Sequence, residues 1–152
     1  MTLQVRLASK LDVKIWATMR LALWPHSNLK ALTQELATLL KNPKFQGWIA
    51  ESDGEAVGFA EAYVRDFANG CDSQPVAFLE GVWVAPGSRH KGVGRRLIRA
   101  VEAWALKRGL KELGSDAQLG ARLSHRSHLG WGFEETERVV YFRKKLKRRA
   151  KT

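Results

Sequence analysis

The residues best suited to chemistry gather in one run, EGVWVAPGSRHKGVGRR, from Glu80 to Arg96. Gly92 and Gly94 lie among Arg89, His90, Lys91, Arg95 and Arg96, with no acid close by. Glycine lets a ligand approach the backbone and accepts positive φ. A helix starting here would add unpaired N–H groups and the positive end of its dipole. Together these features suit a phosphate or pyrophosphate. The alternative is an ordinary strand-to-helix loop with solvated basic side chains. Glu80 brings a second chemistry, because it interrupts the apolar run VAFLEGVWV. A carboxylate on the buried side of a strand is costly unless it has a partner or a task; otherwise it faces solvent on the open side.

Other chemistries lack their residues. The GxxxxGK[ST] spacing of a Walker loop is missing, and a dinucleotide fingerprint would need glycine where Leu97 stands. The single Cys71 has no companions at metal-ligand spacing, so no metal is expected. No serine or cysteine sits in a recognisable triad pattern.

The elements that must position the run follow from periodicity. LQVRLA (3–8) alternates as a strand, and Leu11, Ile15, Met19 and Leu23 recur at helical spacing up to Pro25. A second helix is predicted near 28–40, with Leu29, Leu32, Leu36 and Leu39 on one face. FQGWIAESDGEAVGFAEAYV (45–64) reads as a hairpin turning at Asp53-Gly54. A loop over 67–75 leads to a strand over 76–85. A helix over 93–108 turns Leu97, Val101 and Trp104 inward. A short strand over 111–115, a helix over 119–129 and a closing strand within GFEETERVVYFRKKL (132–146) complete one mixed α/β domain.

At 152 residues the chain is sized for one domain with a real core. No apolar run reaches the length of a membrane span, and the charged N-terminus does not read as a signal peptide. A lone cysteine fits a reducing, cytoplasmic setting. The net charge of +11 calls for an anionic partner such as nucleic acid, a membrane surface or a phosphate-bearing ligand. A nucleic-acid module ranks low, since no helix-turn-helix, zinc or stacking-aromatic motif accompanies the charge. The tail RKKLKRRAKT (143–152) reads as a solvated end.

The hexamer RHKGVG (89–94) fits the R/Q-x-x-G-x-G/A signature of the GNAT acetyltransferase superfamily, and the element order resembles that fold across nearly the whole chain. Within it, NGCDSQPVAFLEGVWV (69–84), SDA (115–117) and GFEETERVVYFRK (132–144) resemble the aminoglycoside 6'-N-acetyltransferases, bacterial enzymes that inactivate antibiotics. The resemblance implies a mixed, largely antiparallel sheet with a splayed central strand and about four flanking helices. It implies one domain over 1–145, with 146–152 as a basic tail. The backbone of Val82, Trp83 and Val84 would pair with the pantetheine arm of acetyl-CoA. The turn of Arg89, His90, Lys91, Gly92, Val93, Gly94 and Arg95 would hold the pyrophosphate, with no metal.

An amine would then attack the thioester directly, with Glu80 binding the ammonium and accepting its proton. Trp24, Phe67, Glu80, Asp116 and Glu137 match substrate-contacting positions. The set suggests a bipolar site, basic around the phosphates and acidic around the amines. Many superfamily members place an acidic tyrosine where His128 stands, so His128 becomes the candidate proton donor to the thiolate, and Tyr141 a weaker one. Phe67 replaces a tyrosine of some relatives, and Ala121 an asparagine. Related enzymes are commonly homodimers, sometimes with exchanged C-terminal strands. A polyamine, a protein N-terminus or a lysine remain alternative acceptors.

Overall fold

The computed structural model describes residues 2–150. Met1, at the head of the expected domain, and Lys151 and Thr152, of the expected tail, lie outside the described residues. The strands β1 (Leu3–Leu7), β2 (Phe45–Ser52), β3 (Glu55–Arg65), β4 (Val76–Val84) and β5 (Leu113–Gly114) form one sheet in sequence order. Neighbours from β1 to β4 are antiparallel, whereas β4 and β5 run parallel. The helices are α1 (Val13–Leu23), α2 (Leu29–Leu39), α3 (Val93–Lys107) and α4 (Arg122–Gly130). Among the described residues, no helix is long and apolar enough to cross a membrane.

Helix starts follow local rules. Ser9 and Asp12 form a reciprocal capping box ahead of α1, and Asp12 also pairs with Arg6 of β1 at 2.7 Å. The Asn28 side chain accepts from the Ala31 amide at 2.9 Å and opens α2. The β2–β3 hairpin turns at Asp53 and Gly54, both at positive φ, as the sequence led one to expect.

The sheet carries helices on both faces. On one face Trp16 of α1 and Leu36 of α2 pack with Ile49 of β2 and Phe59 of β3, all fully buried. On the opposite face Leu97, Ile98 and Val101 of α3 cover Ala60, Ala62 and Leu79. The apolar spacing expected for the first helix is offset, however. Leu11 and Ile15 are exposed, and the inward positions are Trp16, Ala17, Met19 and Arg20. An arginine on the buried face hides the pattern from a hydrophobicity count.

The C-terminal third differs most from expectation. The short strand shrinks to two residues, and the last helix starts at Arg122, since 119–120 form a turn. No strand forms over 133–150; Val139, Val140, Tyr141 and Phe142 are exposed, Phe142 at 91%. A strand exists only through pairing, and β5 offers an edge two residues long.

Candidate active site

After β4 the chain makes a 3₁₀ turn over Pro86–Ser88, passes His90 at φ 62°, and enters α3 from Gly92 at φ 83°. Glycine suits that left-handed position, where a side chain would be strained. The first turn of α3 holds no acid, and among the described residues no side chain caps it. The Arg96 amide is the first to bond back, to the Gly92 carbonyl at 3.1 Å. The amides of Val93, Gly94 and Arg95 are therefore the bare donors of the helix start. Arg89, His90, Lys91 and Arg95 are exposed around them.

The turn's side chains divide their labour. Val93 is buried in the α3 core, so it can offer a ligand only its amide. A side chain at Gly94 would come within 2.9 Å of the Trp131 ring, so that glycine serves packing against the end of α4. Arg89 folds back, its Nε donating to the Val84 carbonyl at 2.8 Å.

The strand leading into this turn has one free edge. β4 pairs with β5 only at Ala77 and Phe78, then continues alone on that side to Val84. Val82, Trp83 and Val84 pair with Ala60, Phe59 and Gly58 of β3. Val82 and Val84 point their side chains toward α3, and Trp83 packs against the α1 cluster. What the splay presents is backbone, which suits an extended amide-bearing ligand.

Glu80 owes its position to a β-bulge. Ala62 pairs with Leu79 and Glu61 with Gly81, leaving Glu80 as the extra residue on β4. Its carboxylate accepts from both prongs of Arg65, Nε to Oε1 at 2.9 Å and Nη2 to Oε2 at 2.8 Å. The Arg65 guanidinium lies 3.6 Å from the centre of the Phe78 ring. Hydrogen bonding to Glu80 raises the Arg65 pKa, with smaller Coulombic support from Glu80, Asp116 and Tyr141.

Beside Glu80, a cleft of about 320 Å³ is lined by Trp24, Tyr63, Glu35, Glu61 and the Arg20 side chain. The missing side chain at Gly81 admits Trp24, whose ring comes within 2.9 Å of where a Cβ would stand. Arg20 lies 4.9 Å from the centre of that ring. Arg20 also donates to Glu61 at 2.9 Å and to Glu35 at 3.3 Å, while Trp16 Nε1 donates to Glu61 at 2.9 Å. Glu61 is 1% exposed. Burial pushes its carboxyl up, opposed by Arg20 and Trp16.

The remaining expected residues, Phe67, Asp116, His128 and Glu137, lie outside that cleft. Glu137 lines a second depression of about 370 Å³ with Gly70, Cys71, Asp72, Glu134 and Glu135. Glu112 tethers the loop of that depression by accepting from the Asp72 amide at 2.9 Å and from the Ser73 amide. Phe67 is exposed at 63% and does not line the Glu80 cleft. His128 meets a residue given no role at the outset: Ser115 Oγ lies 2.7 Å from its Nε2. Arg65 and Ser115, like Arg20, Glu35, Glu61 and Tyr63 of the cleft, are polar residues to which the sequence assigned no role. Arg65 in the strand run AYVRDF, where alternation alone would turn it to solvent, was the available signal. Among the described residues, no group of His, Cys, Asp and Glu side chains is placed to hold a metal.

A strand that parts from its neighbour and runs into a bare helix start is the arrangement that the resemblance to the GNAT acetyltransferases led one to expect. The acetyltransferase (GNAT) family model matches residues 13–131, and the chain belongs to that family. It is similar to an aminoglycoside N(6')-acetyltransferase type 1 of Stenotrophomonas maltophilia, 47% identical over 145 residues, with 93% of each chain covered. Another of that description, from Salmonella enteritidis, is 40% identical over 94% of this chain and 99% of its own. Among solved structures, AAC(6')-Iy in complex with a bisubstrate analog, CoA-S-monomethyl-acetylneamine, aligns with a TM-score of 0.91. It is 38% identical and covers 96% of this chain and 100% of its own.

Proposed function

We propose that this chain transfers the acetyl group of acetyl-CoA to the 6'-amino group of an aminoglycoside by direct attack, and so confers resistance. The observation that carries the reading is the meeting of two features on one strand. The free edge of β4 leads into the bare amides of α3, and the bulge on the same strand presents Glu80. The amides of Val93, Gly94 and Arg95, with Arg89, His90, Lys91 and Gly92 around them, hold the pyrophosphate. The backbone of Val82, Trp83 and Val84 pairs with the pantetheine arm.

Arg65 uses one lone pair on each Glu80 oxygen, and the carboxylate keeps others for an ammonium. Glu80 binds the 6'-ammonium and accepts its proton, directly or through water. Trp24 provides an apolar wall for a sugar ring. Asp116 and Glu137, with the carboxylates around Glu137, attract the remaining amines, and Phe67 offers a ring face at the rim. The acidic surfaces offset the repulsion that a chain of net charge +11 exerts on a polycation. His128 belongs to the acid side of the reaction.

Residues 1–145 constitute the catalytic domain and 146–152 a basic tail, and the enzyme works in the cytoplasm. It works as a homodimer in which the exposed run from Val139 to Phe142 pairs with a second copy of the chain. The reading is tested by following thiol release from acetyl-CoA with a panel of amines. Turnover with kanamycin-like sugars and none with spermidine is expected; turnover with spermidine or peptides alone would overturn the acceptor assignment.

A further inference from the structure

Where β4 and β5 part stands a hydroxyl that none of these roles uses. Ser115 directly follows Gly114, the last β5 residue paired with β4. Its Oγ lies 2.7 Å from His128 Nε2, and the other ring nitrogen, Nδ1, lies 2.7 Å from the Ser124 carbonyl oxygen. A carbonyl only accepts, so Nδ1 carries a hydrogen and donates. In the neutral ring Nε2 then holds a lone pair and accepts from the Ser115 hydroxyl. In the protonated ring both nitrogens donate; Ser115 accepts through its oxygen, and its O–H turns outward.

Both charge states therefore keep both hydrogen bonds with the ring in place. That ring packs beside both Trp131 and Phe133, at centroid distances of 5.5 and 5.1 Å. Ser115 and His128 are only partly buried, so solvent can renew the proton. Past Phe78–Gly114, the last rung of the parallel β4–β5 pair, Ser115 is the next residue on one strand and Glu80 stands two residues on along the other, so the dyad and the Glu80–Arg65 pair flank the same opening.

We propose that Ser115 hands a proton to the departing coenzyme A sulfur, with His128 behind it as the proton source. This deepens the acetyl-transfer reading and rests on it. The amine nitrogen bonds to the acetyl carbon, the C–S bond breaks, and its electron pair stays on sulfur. The sulfur takes the Ser115 hydroxyl proton, Ser115 takes the Nε2 proton of the His128 imidazolium, and the ring ends neutral. The 6'-ammonium gives up two protons in turn through Glu80 to water, one before attack and one from the nitrogen once it is bonded to the acetyl carbon; His128 takes one back from solvent, so one proton is released per turnover. The donor expected at His128 moves one side chain forward, to the hydroxyl that His128 positions.

The test uses the full chain, acetyl-CoA and an aminoglycoside that the wild type acetylates, with kcat measured across pH. Ser115→Ala is expected to lower kcat about 10²-fold, leave coenzyme A affinity unchanged and erase the fall of kcat on the alkaline side. His128→Gln should do the same, the double variant should lose no more, and Ser115→Thr should restore most of the rate. If Ser115→Ala fails to bind coenzyme A through misfolding, His128→Gln and Ser115→Thr decide by the same pH profile.

Three results would overturn the relay: wild-type kcat in Ser115→Ala, a loss that leaves the alkaline fall intact, or acetyl-Ser115 in rapidly quenched enzyme. The last would make the dyad a nucleophile instead. Failure of the wild type to release thiol with any aminoglycoside would refute the transfer reading, and this proposal with it. Failure of the relay alone shows only in the variants.

Discussion

Arg65, whose partner across the β3–β4 ladder is Val76, reaches along β4 to grip Glu80 at the bulge with both prongs of its guanidinium, at 2.9 and 2.8 Å. The fork fixes the plane of the carboxylate as well as its position, which a lysine at 65 could not do. Glu80→Gln keeps size and hydrogen bonding but removes the charge and the proton acceptor. It is expected to lower kcat about 10²-fold, with coenzyme A affinity by calorimetry unchanged. Wild-type turnover would remove Glu80 from the mechanism.

The Trp24 ring occupies the space that a side chain at position 81 would fill. Gly81→Ala is therefore expected to push the ring into the cleft, raising KM for the aminoglycoside about tenfold, an effect of about 1.4 kcal/mol. Coenzyme A binding should be unaffected. Equal KM values would show that Trp24 does not contact the sugar.

At Gly92 the backbone stands at φ 83°, beside the bare amides of α3. A β-branched residue there is strained by about 1–3 kcal/mol. Gly92→Val should lower the melting temperature and weaken coenzyme A binding together. An unaltered affinity would count against this turn as the pyrophosphate seat.

Asp12 ties α1 to β1. Hydrogen bonding from Arg6 holds its carboxyl below the usual range, against the opposing effect of burial. A depressed folded-state value means stability that is complete above the unfolded pKa and lost as pH falls through the folded one. Asp12→Asn should cost about 1–2 kcal/mol at neutral pH, a modest figure because Arg6 is partly exposed and screened. The gap in melting temperature between variant and wild type should close as pH falls below about 4. A gap that persists in acid would assign the effect to packing.

Phe142 and Val140 expose large apolar surfaces on a segment that has no strand partner among the described residues. Charge placed there should leave a monomer intact and prevent pairing between copies. Val140→Glu with Phe142→Glu is expected to give monomer mass in light scattering under conditions where the wild type gives dimer mass. A wild type already monomeric at micromolar concentration would refute the exchange.

Much of the frame could be read from residues alone. The Asp53-Gly54 hairpin, the helix after Gly92 and the basic glycine turn depend on signals within a few positions, and local signals survive in a sequence. The arrangement around Glu80 depends on pairing. Its partner Arg65 is 15 residues away along the chain, and only the register of β3 against β4 brings them together. The Ser115–His128 contact likewise needs β5 and α4 to be placed first. The closing strand failed for the opposite reason: GFEETERVVYFRKKL has strand-like composition, but composition does not say where an edge is available.

Removing Glu80 outright would join the rungs Ala62–Leu79 and Glu61–Gly81 into an unbroken ladder. Leu79 and Gly81 would still face the sides they face now, so the core need not be rebuilt. The acid is thus an insertion into a finished sheet rather than a replacement within it. A lineage could acquire or discard this carboxylate by a single codon, while the free edge farther along the same strand stayed as it was.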